Sequence, residues 1–442
     1  MENLNLRKST EGGLEKPTRH IIDWKNPDFF DEEKFEDELR RVADACHGCR
    51  RCVSLCNSFP TLFDLIDESE TFEVDGVAYK DFNSVVDHCY LCDLCFMTKC
   101  PYVPPHEWEI DFPHLMLRGK AIKNKNQKVS FRDRVLASTD AMGKLFSRSL
   151  ISSVINFFNN NKFFRKILNK FGIHYNAKLP KFVSTTAKQL KLVNKVDNSN
   201  YKVAIFTTCY HNYNEPGVVK DFYDVLKHNN ISVEVINDDN CCGMPKLELG
   251  NIQEVEKMME NNLSKFKKYS DLGYYLIAPI PSCVLMYKQE LPLLFPENDD
   301  LRKVSESFRD PFEFLNMLND QGLLNKNFTS ELGDVSYQVA CHQRVQNFGM
   351  LTKKILELVP GTKVNAIERC SGHDGTYGVK SETHEIAIKI ARPITKQFKE
   401  SNFDSFTSDC SLAAHHIENS LGNLQEPEHP ISLIKKAYGI ES

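Results

Sequence analysis

Residues 201–209 read YKVAIFTTC, and residues 337–341 read YQVAC. Each is a short run rich in apolar, β-branched and aromatic residues that delivers a cysteine, the pattern of a buried strand. The order of elements after each run repeats. After Cys209 come a helical stretch (PGVVKDFYDVLKH, 216–228), a strand (ISVEVI, 231–236) leading to Cys241-Cys242-Gly243, a helical segment from Gln253, and YYLIAPIPSC ending at Cys283. After Cys341 come a helix (MLTKKILEL, 350–358), a strand (KVNAIERC, 363–370) reaching Cys370-Ser371-Gly372, a helix (ETHEIAIKIARPITKQF, 382–398), and FDSFTSDC ending at Cys410. The cysteine intervals are 32 and 41 residues in the first copy (209 to 241, 242 to 283), and 29 and 40 in the second (341 to 370, 370 to 410). Two units of strand-helix-strand-helix-strand indicate an internal duplication. Alternating strands and helices predict parallel sheets, whose ligand sites lie beyond the strand C-termini.

Working outward from this repeat, the chain has 442 residues, 41% hydrophobic and 26% charged, with a net charge of -5 and 15 cysteines. That composition suits a folded protein of two or three domains and excludes a disordered or collagen-like chain. The weak negative charge excludes a generic polyanion binder. The N-terminus, MENLNLRKSTEGGLEKPTRH, has no apolar signal region, and no stretch reaches the roughly 18 apolar residues of a membrane span. A cytoplasmic location follows as the expectation, and there an odd, high cysteine count points to metal or redox chemistry rather than structural disulfides.

Charge is segregated. Residues 28–117 hold 20 acidic and 7 basic side chains, and residues 118–195 hold 18 basic and 2 acidic. With the cysteine distribution this divides the chain into four: 1–117, a cysteine-bearing domain with an N-terminal extension; 118–198, a basic, mostly helical linker ending in a hinge at VDNSN (196–200); 199–300, the first α/β repeat; and 301–442, the second. In the first domain, Asp31 is placed to cap a helix whose first turn carries Glu32 and Glu33, with Phe35, Leu39 and Val42 on one face.

The first domain carries two motifs, Cys46-x2-Cys49-x2-Cys52-x3-Cys56 and Cys89-x2-Cys92-x2-Cys95-x4-Cys100-Pro101. This is the two-cluster bacterial ferredoxin signature, in which the fourth cysteine of each motif ligates the other cluster. By that rule Cys46, Cys49, Cys52 and Cys100 hold one [4Fe-4S] cluster, and Cys89, Cys92, Cys95 and Cys56 hold the second. Zinc sites use four ligands, commonly as paired CxxC, and two triplets plus two singles fit that poorly. The expected fold is therefore α+β and multidomain: a helical ferredoxin-like domain followed by a duplicated α/β domain with parallel sheets.

At Cys241-Cys242-Gly243, flanked by Cys209 and Cys283, the chain resembles the CCG cysteine-rich domains of the heterodisulfide reductase B-subunit. It resembles more closely the C-subunit family of anaerobic glycerol-3-phosphate dehydrogenase. The segments that carry this likeness are FRDRVLASTDAMG (131–143), CYHNYNEP (209–216), CCGMPKLELGN (241–251), GTYGVKSE (375–382) and EHPISLIKKAYG (428–439). The resemblance implies a membrane-associated iron–sulfur subunit that takes electrons from a flavoprotein partner and passes them to quinone. It also implies a cysteine, a cysteine pair and a CxxC at each CCG site. The first site has Cys209, Cys241, Cys242 and Cys283, with Ile280 where the CxxC would begin, and four thiolates suffice for a third cluster. The second keeps Cys341, Cys370 and Cys410, with Ser371 in place of the pair's second cysteine and Thr407 where the CxxC would begin. His373 stands as a further metal ligand there, with His342, Asp374 and Asp409 nearby. That second site is open between iron–sulfur, zinc and a vestigial, empty repeat.

In the linker, Leu150, Ile151, Val154, Ile155 and Phe158 recur at helical spacing beside Arg148, Lys162, Arg165 and Lys166. Two readings stand: an amphipathic helix lying on an anionic membrane, or a helix packed across a domain interface. No aromatic-interleaved motif points to nucleic acid, and no GxGxxG follows a strand. The functional expectation is an electron-transfer subunit linking a flavoprotein or similar donor to quinone or a protein acceptor. The alternatives are heterodisulfide or thiol–disulfide reductase chemistry at the CCG site, and an electron carrier serving a peroxide-reducing di-iron protein.

Overall fold

The computed structural model describes residue 13 and residues 15–197, 199–422 and 425–441. The start of the N-terminal extension and Asn198 of the expected hinge lie outside the described residues. The chain divides into two compact units, 1–126 and 127–442.

The first unit is helical. Helix α1 (Glu32–Cys49) begins where Asp31 accepts the Lys34 N–H, and Glu32 and Glu33 in its first turn suit the helix dipole. Its buried face is Phe35, Leu39, Val42 and Ala43. Helices α2 (Ser58–Asp67) and α3 (Phe82–His88) pack on each other, and α4 (Phe112–Lys125) packs on α1 and α3. Gly119 makes the α4 contact close: a side chain there would meet the Phe35 ring at 2.8 Å. Helix α4 runs through residue 117, where the change of charge sign suggested a boundary, because burial of Leu115, Met116, Leu117, Ala121 and Ile122 continues across it.

The second unit opens with four helices: α5 (Phe131–Leu136), α6 (Thr139–Phe146), α7 (Ser149–Asn160) and α8 (Lys162–Lys170). The amphipathic stretch is thus two helices. The break is at Asn161, which has extended backbone and caps α8 with its side-chain oxygen.

Two sheets follow. The first has strand order β1-β3-β2-β4-β5, built from β1 (Val193–Asn194), β2 (Lys202–Ile205), β3 (Ser232–Val235), β4 (Tyr274–Ile277) and β5 (Phe308–Arg309). All its pairings are parallel except β1 with β3. The second is β7-β6-β8, all parallel, from β6 (Asp334–Gln338), β7 (Lys363–Ile367) and β8 (Ser405–Ser408). In each copy the first strand is central, flanked by the second and third, so the duplication inferred from cysteine spacing is repeated in topology. Val203, Ile205, Val233 and Val235 of one sheet and Val335, Tyr337 and Val364 of the other lie in one continuous core. Burial from both faces explains why these strands read as apolar runs rather than alternating ones.

Helices after the strands include α9 (Cys209–Tyr213), α10 (Pro216–His228), α11 (Met244–Leu247) and α12 (Ile252–Asp271). The last helix, Pro430–Ala437, crosses back onto α10, where Lys435 pairs with Asp221 at 2.9 Å and Asp224 at 2.8 Å. No helix among the described residues is long and apolar enough to cross a membrane.

Candidate metal centres

In the first unit, α1 delivers Cys46 and Cys49 on its last turn and stops at Arg50, which has left-handed backbone (φ 50°). Cys52 lies in the next turn, and Cys56 lies just before α2. The second motif starts as α3 ends at Cys89. Leu91 (φ 56°) and Asp93 (φ 60°) then both hold left-handed backbone, which folds Cys89, Cys92 and Cys95 into a tight loop. Cys95 opens a single π-helical turn closed by the Cys100 N–H on the Cys95 carbonyl at 2.8 Å, a wide turn of the kind found at functional sites. Arg19 braces the loop. Its guanidinium grips Asp93 at 2.6 and 3.0 Å and Asp111 at 3.0 and 3.2 Å, and lies 4.4 Å over the Phe96 ring.

Cys46, Cys49 and Cys52 of the first motif and Cys100 of the second line one half-open cavity together with Phe59, Phe63 and Ile110. Burial pushes the Cys52 thiol up to about 12, with Cys100 and Cys49 adding to the rise, and burial raises Cys46 with Cys100, Cys52 and Cys49 as its neighbours. Burial also raises Cys95, whose further neighbours are Cys92, Cys89, Cys52 and Cys56. Each group of thiols therefore mixes the two motifs. Burying several thiolates together is unfavourable without positive charge among them, so the donor set fits a thiolate-ligated metal centre.

In the second unit each cysteine station stands just past a strand. Cys209, Cys241 and Cys283 follow β2, β3 and β4, and Cys341, Cys370 and Cys410 follow β6, β7 and β8. At the first station group the Cys283 and Cys242 sulfurs are 3.2 Å apart. Thiol hydrogen bonds from Cys209 and Cys242 hold Cys241 far below the usual thiol range. The Thr139 hydroxyl (3.5 Å) and the Gly243 N–H (3.5 Å) also donate to its sulfur. Asp140 accepts the Cys241 N–H at 2.6 Å, and Lys246 Nζ donates to Ser138 at 2.9 Å. Gly243 adopts φ 96°, which lets the chain turn sharply after the cysteine pair. Three buried thiols and the half-buried Cys209, with donors aimed at sulfur, fit a thiolate-ligated centre. Sequence reasoning misses Ser138, Thr139 and Asp140 as site residues. Their signal is the segment 131–143, which reads as linker.

At the second station group, burial raises Cys370 and Cys410 to about 11 each. Burial lifts Cys341 further, with Cys370, Cys410 and Asp374 adding to the rise. The Gly372 N–H reaches Cys370 Sγ at 3.3 Å. Asp409 instead accepts from the Tyr337 hydroxyl (2.6 Å) and the Thr352 hydroxyl (3.0 Å), deep in the core. His373 is half-buried, and desolvation of its ring pushes it down to about 3. Its ring lies 5.7 Å from that of His416. Thr407 donates to the Glu428 carbonyl at 2.6 Å. The two station groups adjoin. His211, two residues after Cys209, lies 3.1 Å from Ser411, one residue after Cys410, and Ser282 lies 2.7 Å from His342, beside Cys283 and Cys341.

Parallel strands ending in paired sets of cysteines define a duplicated cysteine-rich α/β domain. The family described as CCG, cysteine-rich domain, matches residues 203–288 and again 335–418. The chain carries these two CCG domains and has homologues among subunits of anaerobic dehydrogenases and reductases and among iron–sulfur proteins. It is 26% identical over 334 residues to the C-subunit of the anaerobic glycerol-3-phosphate dehydrogenase of Escherichia coli, covering 74% of this chain and 82% of that one. It is 26% identical over 422 residues to the B-subunit of the CoM/CoB fumarate reductase of Methanothermobacter marburgensis, covering 92% and 72%. It is 28% identical over 202 residues to lactate utilization protein A of Oceanobacillus iheyensis, covering 44% and 78%.

Proposed function

We propose that the chain is the iron–sulfur electron-transfer subunit of an oxidoreductase, working between a flavoprotein donor and quinone or a protein acceptor. The observation that carries this reading is the cavity in which Cys46, Cys49 and Cys52 meet Cys100. In that reading Cys46, Cys49, Cys52 and Cys100 hold one [4Fe-4S] cluster, and Cys89, Cys92, Cys95 and Cys56 hold the other. Cys209, Cys241, Cys242 and Cys283 hold a third centre, and Cys341, Cys370 and Cys410, with His373, hold a fourth or a remnant of one. Bound clusters of this kind take up and release single electrons. The protein residues fix and insulate them: Arg19 and the left-handed Leu91 and Asp93 shape one loop, while Thr139, Gly243 and Asp140 direct donors and charge at Cys241. The relatives that are themselves subunits support a partner that supplies the substrate chemistry.

The test is Cys100→Ser in anaerobically prepared protein. The expected result is loss of the cluster held by Cys46, Cys49 and Cys52, read by EPR of the reduced protein. Loss confined to the cluster of the second motif sinks the exchange of ligands.

A second reading, disulfide reduction at the CCG sites, is favoured by one observation, the abutment of the two station groups through His211–Ser411 and Ser282–His342. Turnover of a disulfide by the pure chain supports it.

The exposed apolar face of α7 and α8 supports attachment to the cytoplasmic face of a membrane. Leu150 is 83% exposed, Phe157 60% and Phe163 67%. Lys162, Lys166 and Lys170 accompany them. Arg165 does not belong to that face. It is buried and donates to the carbonyls of Tyr175, His174 and Ala177.

A further inference from the structure

Away from the cysteines, the strand of chain after α8 is fastened to the second CCG repeat. Ile173 bridges Lys380, the Ser381 N–H reaches the Gly172 carbonyl at 2.9 Å, and the His174 N–H reaches the Val379 carbonyl at 2.9 Å. Arg132 adds a fork to Glu382, with one arm at 2.8 Å. At the end of this seam the His174 and His384 rings stack, centroids 4.0 Å apart, and Glu385 brings a carboxylate 3.6 Å from His174 Nε2. One donor atom from each of His174, His384 and Glu385 lies within 4.8 Å of the other two. Among the described residues this is the one such group of histidine, cysteine and carboxylate ligands.

We propose that His174, His384 and Glu385 form a site for a divalent transition-metal ion of the zinc type, which staples the segment after α8 to the second CCG repeat. Two arguments support it. Two imidazoles and one carboxylate are a common zinc donor set, with a fourth position left to water. His384 is buried, and its Nδ1 lies 2.7 Å from the Gly378 carbonyl. Donation there fixes the tautomer that leaves Nε2 free to ligate, the outer hydrogen bond usual for a metal-bound histidine. Two contacts are given up: the His174 ring turns out of its stack on His384, since near-parallel rings cannot both aim an in-plane lone pair at one ion, and the 3.3 Å bond from the Asn176 N–H to His174 Nδ1 is lost. Arg165, bound to the His174 carbonyl, is a cation close by, and the Glu385 carboxylate offsets it.

The cysteines bind zinc too, so the test must separate the two chemistries. Full-length protein is loaded anaerobically with iron and sulfide, given zinc chloride, desalted, and measured by zinc content and zinc X-ray absorption. The expected result is one zinc per chain with only nitrogen and oxygen ligands at about 2.0–2.1 Å. Glu385→Ala, a change at a side chain 77% exposed, is expected to weaken zinc binding at least tenfold without disturbing the fold. Zinc is also expected to raise the unfolding midpoint of the wild type but not of Glu385→Ala. Equal nitrogen- and oxygen-ligated zinc in the wild type and in a Glu385→Ala, His384→Gln double variant overturns the proposal. So does zinc with sulfur ligands alone near 2.3 Å.

Discussion

Asp140 illustrates how a single side chain serves a site far away in sequence. Its carboxylate takes the Cys241 N–H at 2.6 Å across a separation of 101 residues. Burial raises its pKa, and the Cys241 sulfur adds to the rise. Asp140→Ala leaves that amide without its partner, which costs about 1–3 kcal/mol for a buried donor. The expected outcome is a lower denaturation midpoint and less metal at the first CCG site. Asp140→Asn, which keeps an accepting oxygen, should fall between the two. A second residue-scale prediction concerns pH. Burial opposes protonation of His415, but its bonds to Glu215 and Glu418 win and raise it to about 9. Its stabilisation is therefore complete below the unfolded value of about 6.5 and is lost as pH rises through 9. The rings of His211, His373, His416 and His429 are held near 3 or 4 by desolvation, so they oppose folding as pH falls below about 6.5. Thermal midpoints measured from pH 5 to 10 should peak near neutrality. His415→Gln should flatten the alkaline limb and leave the acid limb in place.

At the scale of elements, the seating of α6 on α9 determines whether the first CCG site is complete. Gly143 lets this happen: a Cβ there would stand 2.1 Å from the Tyr213 ring. Gly143→Ala should force the helices apart, costing about 1–3 kcal/mol as overpacking does, and reduce iron at Cys209, Cys241, Cys242 and Cys283. Iron content with the unfolding midpoint checks both. Helices α7 and α8 make a different prediction. If their exposed face meets anionic lipid, the protein should sediment with vesicles rich in phosphatidylserine and release at high salt. Each basic group near such a surface contributes about 1 kcal/mol. Reversing Lys162, Lys166 and Lys170 together should release it at low salt. Arg165 is left out because its loss would orphan three carbonyls. Sedimentation indifferent to salt and to the triple reversal contradicts membrane attachment.

At the scale of the whole molecule, what was legible in the sequence was local or periodic. Helix α10 is bounded as read, by Pro216 at its start and His228 at its end, and the six cysteine stations mark strand ends because a parallel sheet collects its ligands there. What was not legible depends on contacts between distant residues. The edge strand β1 is two residues in a basic stretch and exists because Val193 and Asn194 pair with Glu234 and Val233. The docking of residues 131–143 at Cys241 leaves no periodic trace. Arg165 reads as a surface charge until the carbonyls it serves are in place, and the left-handed Leu91 is of a residue type that rarely adopts such backbone.

The most direct measurement is the iron, acid-labile sulfide and zinc content of anaerobically purified full-length protein, with EPR before and after dithionite. The account predicts about eight irons from the N-terminal unit, two cubanes by the cysteine rule, a visible absorption that dithionite bleaches, and interacting signals from the reduced clusters. It further predicts that Cys242→Ala removes an additional centre while those eight irons remain. Stoichiometric zinc without acid-labile sulfide, or a Cys242→Ala protein with unchanged metal content, would contradict it.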